Sequence, residues 1–365
     1  MSRSMGYGSP TSVRAGVFAD VFASAADNRH EAGPAQAKPR GKNRLKEQIM
    51  ENRCDLLNEQ LLNGVGNIAR VMSADGKVAD YIPELSLMSA ELFSLSCQGI
   101  DSSLMETGDR EQFFTMQSIS KILALSFAIE NFGRENVFRH VGMEASADSF
   151  NSLMRIEMTS SKPSNPFMNA GAIAVCSLIH KAYKEESVER LLSFMESVTG
   201  RENGFDERVF FSEKRSADRN RALAFFMKSM GFLHGDIESI LDFYFALCSL
   251  RCTSGDLAKI GAMIAAGGVA VHSGERVIQK ETVFTLMGLM STCGLYNGSG
   301  EFAVRVGLPG KSGVSGGILV AVPGRMGIGV FSPALDAKGN SVAGIKALEL
   351  LSEKLDLRGF GKHNR

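Results

Sequence analysis

No net charge separates the 40 lysines and arginines of this 365-residue chain from its 40 aspartates and glutamates. A global field that would recruit nucleic acid or an anionic membrane surface is therefore excluded. Long apolar runs are also missing. The longest, Ile260–Val271, falls short of the ~18 residues that a membrane-spanning helix needs. The N-terminus has no apolar stretch of the kind that directs secretion. A disulfide framework is absent as well: the six cysteines (Cys54, Cys97, Cys176, Cys248, Cys252 and Cys293) are dispersed, several inside apolar segments, as free thiols are in a reducing compartment. Cys248 and Cys252 are four apart, but no neighbouring Cys or His pair completes a zinc set, so they read as core thiols. The absences together point to a cytoplasmic protein without metal or cofactor. Residues 1–19, which contain Ser and Arg and no acids, leave an organelle-targeting segment open.

What is present is an ordinary globular composition, 44% hydrophobic and 22% charged, on a chain long enough for one sizeable core. Residues 1–46 carry eight basic and three acidic side chains and read as a disordered basic tail. Residues 47–358 read as one domain and 359–365 as a flexible end. Within the domain, helical spacing of apolar residues from Leu45 to Leu61 opens the fold. Segments 92–99 and 103–109 alternate as a β-hairpin. A long, mostly helical block follows over 134–290. Segments 301–309, 312–323 and 325–333, rich in Val and Ile between Gly and Pro turns, read as three strands, and 340–355 as a closing amphipathic helix. Sheet pieces flanking a helical block predict an α+β fold in which that block is an insertion: sheet part about 47–117 and 300–358, helical part about 118–299.

One helix is chemically odd. From Ile119 to Phe132 it is apolar on nearly every face, so it is buried all round. Yet Ser118 and Lys121 sit one turn apart at its start, where residues three apart share a face and can hydrogen-bond. Desolvation favours a neutral lysine amine, and a neutral amine beside a hydroxyl is a base beside a nucleophile. A Ser-x-x-Lys also arises by chance, so a second reading stays open: Ser118 caps the helix and Lys121 reaches water. Lys311-Ser312-Gly313, opening a Gly-rich strand, adds to the first reading. Penicillin-recognising serine hydrolases combine Ser-x-x-Lys with a later Lys-Thr-Gly strand, and a second ammonium at Lys311 is expected to lower the pKa of Lys121 by repulsion. Their Ser-Asp-Asn element is absent. Tyr296, in a Gly-bounded loop, offers a phenol able to carry protons, or simply packs a turn.

The strings 76–85, 117–121, 165–173, 212–220, 241–249, 293–317 and 339–345 resemble, jointly and in order, the serine-dependent glutaminases, which share the β-lactamase-like fold. That fold sets an antiparallel sheet, flanked by N- and C-terminal helices, beside a large all-helical insertion. The resemblance covers about 47–356 and implies that Ser118 is the nucleophile, Lys121 its base and Tyr296 the proton shuttle. It further implies an oxyanion hole from the backbone N–H groups of Ser118 and Val314, and substrate recognition by Tyr81, Asn169, Glu213, Asn220, Tyr244 and Val314. The implied partner is L-glutamine, converted to L-glutamate and ammonia without metal or cofactor, in a homodimer or homotetramer that binds neither nucleic acid nor membrane. Duller readings accompany three of these residues: Asn169 as a helix N-cap, Tyr81 as a staple before Pro83, Glu213 in a surface charge cluster with Lys214 and Arg215. Two rival functions are a penicillin-recognising hydrolase and a non-catalytic amino-acid-binding protein of the same fold.

Overall fold

The alternating segments near residue 100 form one edge of a five-stranded antiparallel sheet. The structure, a computed structural model, describes residues 57–145 and 162–359. The strands are β1 (Ser94–Gly99), β2 (Leu104–Gly108), β3 (Gly310–Ser312), β4 (Gly317–Val322) and β5 (Met326–Phe331). Their spatial order is β2-β1-β5-β4-β3. The N-terminal hairpin thus pairs through β1 with β5, in a register that sets Cys97 opposite Ile328, and the C-terminal strands complete the sheet. The expected tail over 1–46 lies outside the described residues, as do the start of the first predicted helix and residues 360–365.

Helices cover both faces of the sheet. α1 (Glu59–Val71) and the C-terminal α11 (Val342–Lys354) pack together on one face. Leu62 and Leu348 meet the inward-facing Leu95, Ile318, Val320, Ile328 and Val330 there, all fully buried. Asn58 caps α1 by accepting from Leu61 N–H, and Ser341 caps α11 through Gly344 N–H, each satisfying an orphan donor of the first turn. The other face carries α8 (Ser254–Ala265), which lies against β5, β4 and β1. A Cβ on Gly327 would stand 2.0 Å from Ala258 O, so β5 admits this helix only because it lacks side chains there.

The helical block contains α2 (Ser120–Phe132), α3 (Asn169–Tyr183), α4 (Ser187–Thr199), α5 (Glu207–Arg215), α6 (Asp218–Ser229), α7 (Ile237–Cys248) and α9 (Lys280–Cys293). Its core is continuous with the sheet through Leu319, Ala321 and Phe331. α2 runs through its middle with ten consecutive buried residues, Ser120 to Ile129, as its uniformly apolar sequence predicts. The expected antiparallel sheet, terminal helices and large helical insertion are all present.

One expected strand is a helix. Residues 301–309 were predicted to extend, but Ser299–Arg305 forms α10 and the strand begins only at Gly310. Phe302 and Val306, four apart, are both buried, Val304 is 81% exposed, and Glu301 pairs with Arg305 across one turn at 2.8 Å. That is a helical pattern, and the burial of Phe302 and Val306 overrides the weak strand preference of the phenylalanine and two valines.

Candidate active site

The chain enters α2 through a strained turn. After Phe114–Thr115 pairs with Arg251–Cys252, Gln117 adopts φ +48° and opens a 3₁₀ turn, Gln117–Ile119. A non-glycine residue in that region costs about 1–3 kcal/mol and persists only where its surroundings enforce it. Ser120 Oγ donates to Gln117 O at 2.7 Å, and Met116 N–H is tied to Leu250 O at 2.7 Å. The β3–β4 turn presses on the same spot: a Cβ on Gly313 would lie 2.6 Å from Met116 O. Glycine at 313 therefore lets Val314 sit beside Ser118. Ser118 does not cap the helix, since α2 has no side-chain cap.

Lys121 does not reach water. It is 2% exposed, and its Nζ donates to Phe167 O at 3.1 Å and Asn169 Oδ1 at 2.8 Å. Among the described residues it makes no hydrogen bond to Ser118, contrary to the spacing argument: the two acceptors at the start of α3 draw the amine to that side. Burial pulls its pKa down to about 8, although the nearby Cys248 and Cys176 act in the opposite direction. The Ser118 side chain instead acts on the Tyr296 phenol. Tyr296 also has positive φ, +51°. Burial raises its pKa well above the free value, the Ser118 hydroxyl opposing, so it is protonated at neutral pH.

Lys311 is wholly buried. Its Nζ donates to Ser312 O at 2.5 Å and lies 4.7 Å from the Tyr296 ring centroid. Burial, and secondarily the charge of Lys121, depress its pKa well below the usual value. The expected tuning therefore runs the other way. Burial is the leading cause for both amines, the charge of Lys121 adds to the depression of Lys311, and burial rather than repulsion depresses Lys121.

A pocket of ≈ 270 Å³ opens onto Ser118. Tyr81, Asn169, Glu213, Asn220, Tyr244 and Val314 all line it, so one cavity gathers residues scattered over more than 230 positions. Asn169 is the first residue of α3 and caps nothing; its amide donates to Asn220 Oδ1 at 3.1 Å, continuing a chain from Lys121 to the pocket wall. Tyr81 is half-exposed, yet its hydroxyl lies 2.7 Å from Glu213 Oε1 and 3.0 Å from Gln117 Oε1. With a single proton, the phenol donates to the carboxylate. Glu213 is buried; desolvation raises its pKa while Tyr81 and Gln117 lower it. Such a carboxylate favours a ligand that brings positive charge. Lys214 turns away to Asp242 at 2.7 Å, so no surface cluster forms around Glu213.

Four further lining residues, Gln117, Ser216, Arg219 and Cys248, escaped the sequence reading. Gln117 adjoins the nucleophile candidate and its positive φ has no sequence signature. Cys248 reads as a core thiol, and burial does push it up to about 12, yet one face meets the pocket. The N–H groups of Ser118 and Val314 have no acceptor among the described residues; both residues line the pocket, as an anion-stabilising pair would. The loop after β5 backs this corner: Ser312 Oγ donates to Asn340 Oδ1 at 2.6 Å, and Asn340 Nδ2 reaches Leu295 O at 3.3 Å beside Tyr296. Among the described residues, no group of three His, Cys, Asp or Glu is placed to hold a metal ion.

Comparison with known proteins follows the same outline. The Glutaminase family pattern matches residues 76–360. A glutaminase of Clostridium tetani is 50% identical over 293 residues, covering 80% of this chain and 96% of that one. The solved structure of a probable glutaminase, ybaS, superposes with a TM-score of 0.79 at 37% identity, over 83% of this chain and 99% of that one. A probable glutaminase from Bacillus subtilis complexed with 6-diazo-5-oxo-L-norleucine superposes at 0.77 and 34% identity, over 84% and 97%.

Proposed function

The chain belongs to the glutaminase family and hydrolyses L-glutamine to L-glutamate and ammonia; we propose that the reaction runs through an ester on Ser118. What supports this reading above all is a single cavity lined by Ser118, two free backbone N–H donors and a buried carboxylate. Glutamine enters with its α-ammonium toward Glu213 and its carboxamide toward Ser118. Ser118 Oγ attacks the carboxamide carbon, the neutral amine of Lys121 takes up the proton, and the oxyanion forms against Ser118 and Val314 N–H. Tyr296 is protonated at neutral pH, so it is not the base and can donate to the departing amide nitrogen, with Lys121 positioned to replace that proton. Ammonia leaves, and Lys121 returns its proton to the phenoxide. Water then attacks the γ-glutamyl ester by the reverse relay, freeing glutamate and Ser118.

Tyr81, Asn169, Asn220 and Tyr244 complete the amino-acid pocket in this reading: the amides and the Tyr244 phenol bond the α-carboxylate, while Tyr81 holds Glu213 in place. Polar groups set for one chain length stay unpaired with a shorter one, so asparagine is turned over poorly. The ligand carried by the Bacillus subtilis relative is a diazoketone in which a diazomethyl group stands where glutamine carries its amide nitrogen, a suitable probe. Incubated with 6-diazo-5-oxo-L-norleucine, the protein should acquire one covalent adduct, mapped to Ser118. Ser118→Ala should take up none and release no ammonia, while still binding glutamine. An adduct on another residue, or near-native turnover by the variant, overturns the assignment.

No helix among the described residues is long and apolar enough to cross a membrane. We place the protein in the cytoplasm because its five described cysteines are all free thiols, and we expect a homodimer or homotetramer by family resemblance.

A further inference from the structure

A second cavity, ≈ 400 Å³ in volume, lies on the other side of the wall that bounds the substrate pocket. Ile82, Leu85 and Val209 form that wall, with Val314 packed against them. Consecutive residues of the β3–β4 turn serve the two cavities: Val314 faces the substrate pocket and Ser315 lines the second one. Two buried polar atoms of this cavity lack hydrogen-bond partners among the described residues, and a third group makes no ion pair there. Ser315 is 4% exposed, and its buried hydroxyl makes no hydrogen bond. Oε2 of Glu84 is equally buried and equally unbonded. Arg251 has no acidic partner and rests its guanidinium 4.5 Å from the Phe113 ring centroid. In contrast, Arg201, on the same ring at 5.0 Å, is held by Asp256.

Buried polar atoms without partners are rare in native proteins, and each asks for an explanation. A hydroxyl and a carboxylate oxygen left so in one cavity, beside an uncommitted guanidinium, are the complement of a ligand. The carboxylate of Glu84 calls for a donor, best a cation. The guanidinium of Arg251 calls for a planar anion, which its fork binds in two places. Leu85, Phe113 and Val209 supply an apolar floor, and the volume lies within the ~300–1,000 Å³ of small-molecule sites. We propose that this cavity is a second binding site, for a small zwitterion that combines an ammonium, a carboxylate and an apolar side chain, the class of the apolar α-amino acids. The ammonium bonds Glu84, the carboxylate meets Arg251, and the Ser315 hydroxyl bonds whichever of the two groups faces the turn. Nothing in this assignment depends on the chemistry at Ser118.

The probes are L-phenylalanine and L-leucine, with saturation-transfer NMR on the full-length protein as readout. Saturable binding is expected, about tenfold weaker in Glu84→Gln and in Arg251→Gln, each of which removes one charge-assisted hydrogen bond. N-acetyl-L-phenylalanine and L-phenylalaninamide should each bind more weakly than the free amino acid. Ser118→Ala, which alters the other pocket without changing its charge, should leave the affinity unchanged. Arg251 is exposed, so its variant folds whatever becomes of Glu84→Gln, and a thermal melt checks both. Absence of saturable binding by both amino acids, equal affinity in Arg251→Gln, or loss of binding in Ser118→Ala would each overturn the proposal.

Discussion

Lys121 and Lys311 are both buried amines with depressed pKa, and they differ in what surrounds them. Lys121 belongs to a helix and has two acceptors, one of them the Asn169 amide that continues to Asn220 and the pocket wall. Lys311 belongs to a strand, has one backbone acceptor, and otherwise meets the faces of Tyr296 and Phe167. The first is wired to the substrate pocket; the second is enclosed behind the phenol. Burial alone makes a lysine neutral, but only a polar path outward lets that neutrality be spent on a reacting molecule. In the proposed mechanism it is these connections, rather than burial, that single out Lys121 as the base.

The contrast breaks most sharply under substitution. Lys121→Met should lower kcat by about 10³-fold or more, since general-base assistance contributes on the order of 10²–10⁴. In the unaltered enzyme the base must be neutral, so kcat/KM should climb with pH and level off above about 8, the pKa to which burial brings Lys121. A profile flat across that range excludes Lys121 as the base. Gly313→Ala tests whether the Lys311 strand acts through its turn rather than its amine. The added Cβ meets Met116 O and must push Val314 away from Ser118, and a small misplacement of that kind costs up to about 10² in kcat. Unchanged steady-state kinetics would detach the turn from catalysis.

Asn169→Ala makes Lys121 more like Lys311 by removing one acceptor. That acceptor favours the ammonium, so its loss should move the rising limb of kcat/KM to lower pH, and KM for glutamine should increase about tenfold with the lost pocket amide. A limb shifted upward would contradict the wiring. The smallest effect is expected at Lys311. Lys311→Met should leave the limb where it is, because burial and not the charge of Lys311 depresses Lys121. It should also raise Tm by a few degrees, on the order of 5 °C, as a depressed buried amine gives way to an apolar chain of similar length. A limb moved to higher pH would restore the repulsion expected from sequence.

Local pattern made the hairpin, the buried helix α2 and the closing helix α11 legible, because each follows from a periodicity within its own segment. The residue types in the pocket were legible only jointly, through resemblance, since Tyr81, Asn169, Glu213 and Val314 lie far apart in the chain and no spacing relates them. Three features had no readable signal. The acceptors of Lys121 lie 46 and 48 residues away. The direction of coupling between the lysines depends on which is sealed more tightly. The helix at Ser299–Arg305 uses residues whose preference is for strands, so only the packing of Phe302 and Val306 decides it.

The two free N–H groups beside the pocket come from residue 118 and residue 314, and they meet only when the β3–β4 turn docks on the entrance to α2. On the mechanism proposed above, a nascent chain that has emerged as far as Cys293 owns its serine and its lysine but has nothing to steady a tetrahedral oxyanion. Hydrolytic competence would then arrive with the C-terminal strands, and ammonia production would report a folded sheet rather than a growing chain.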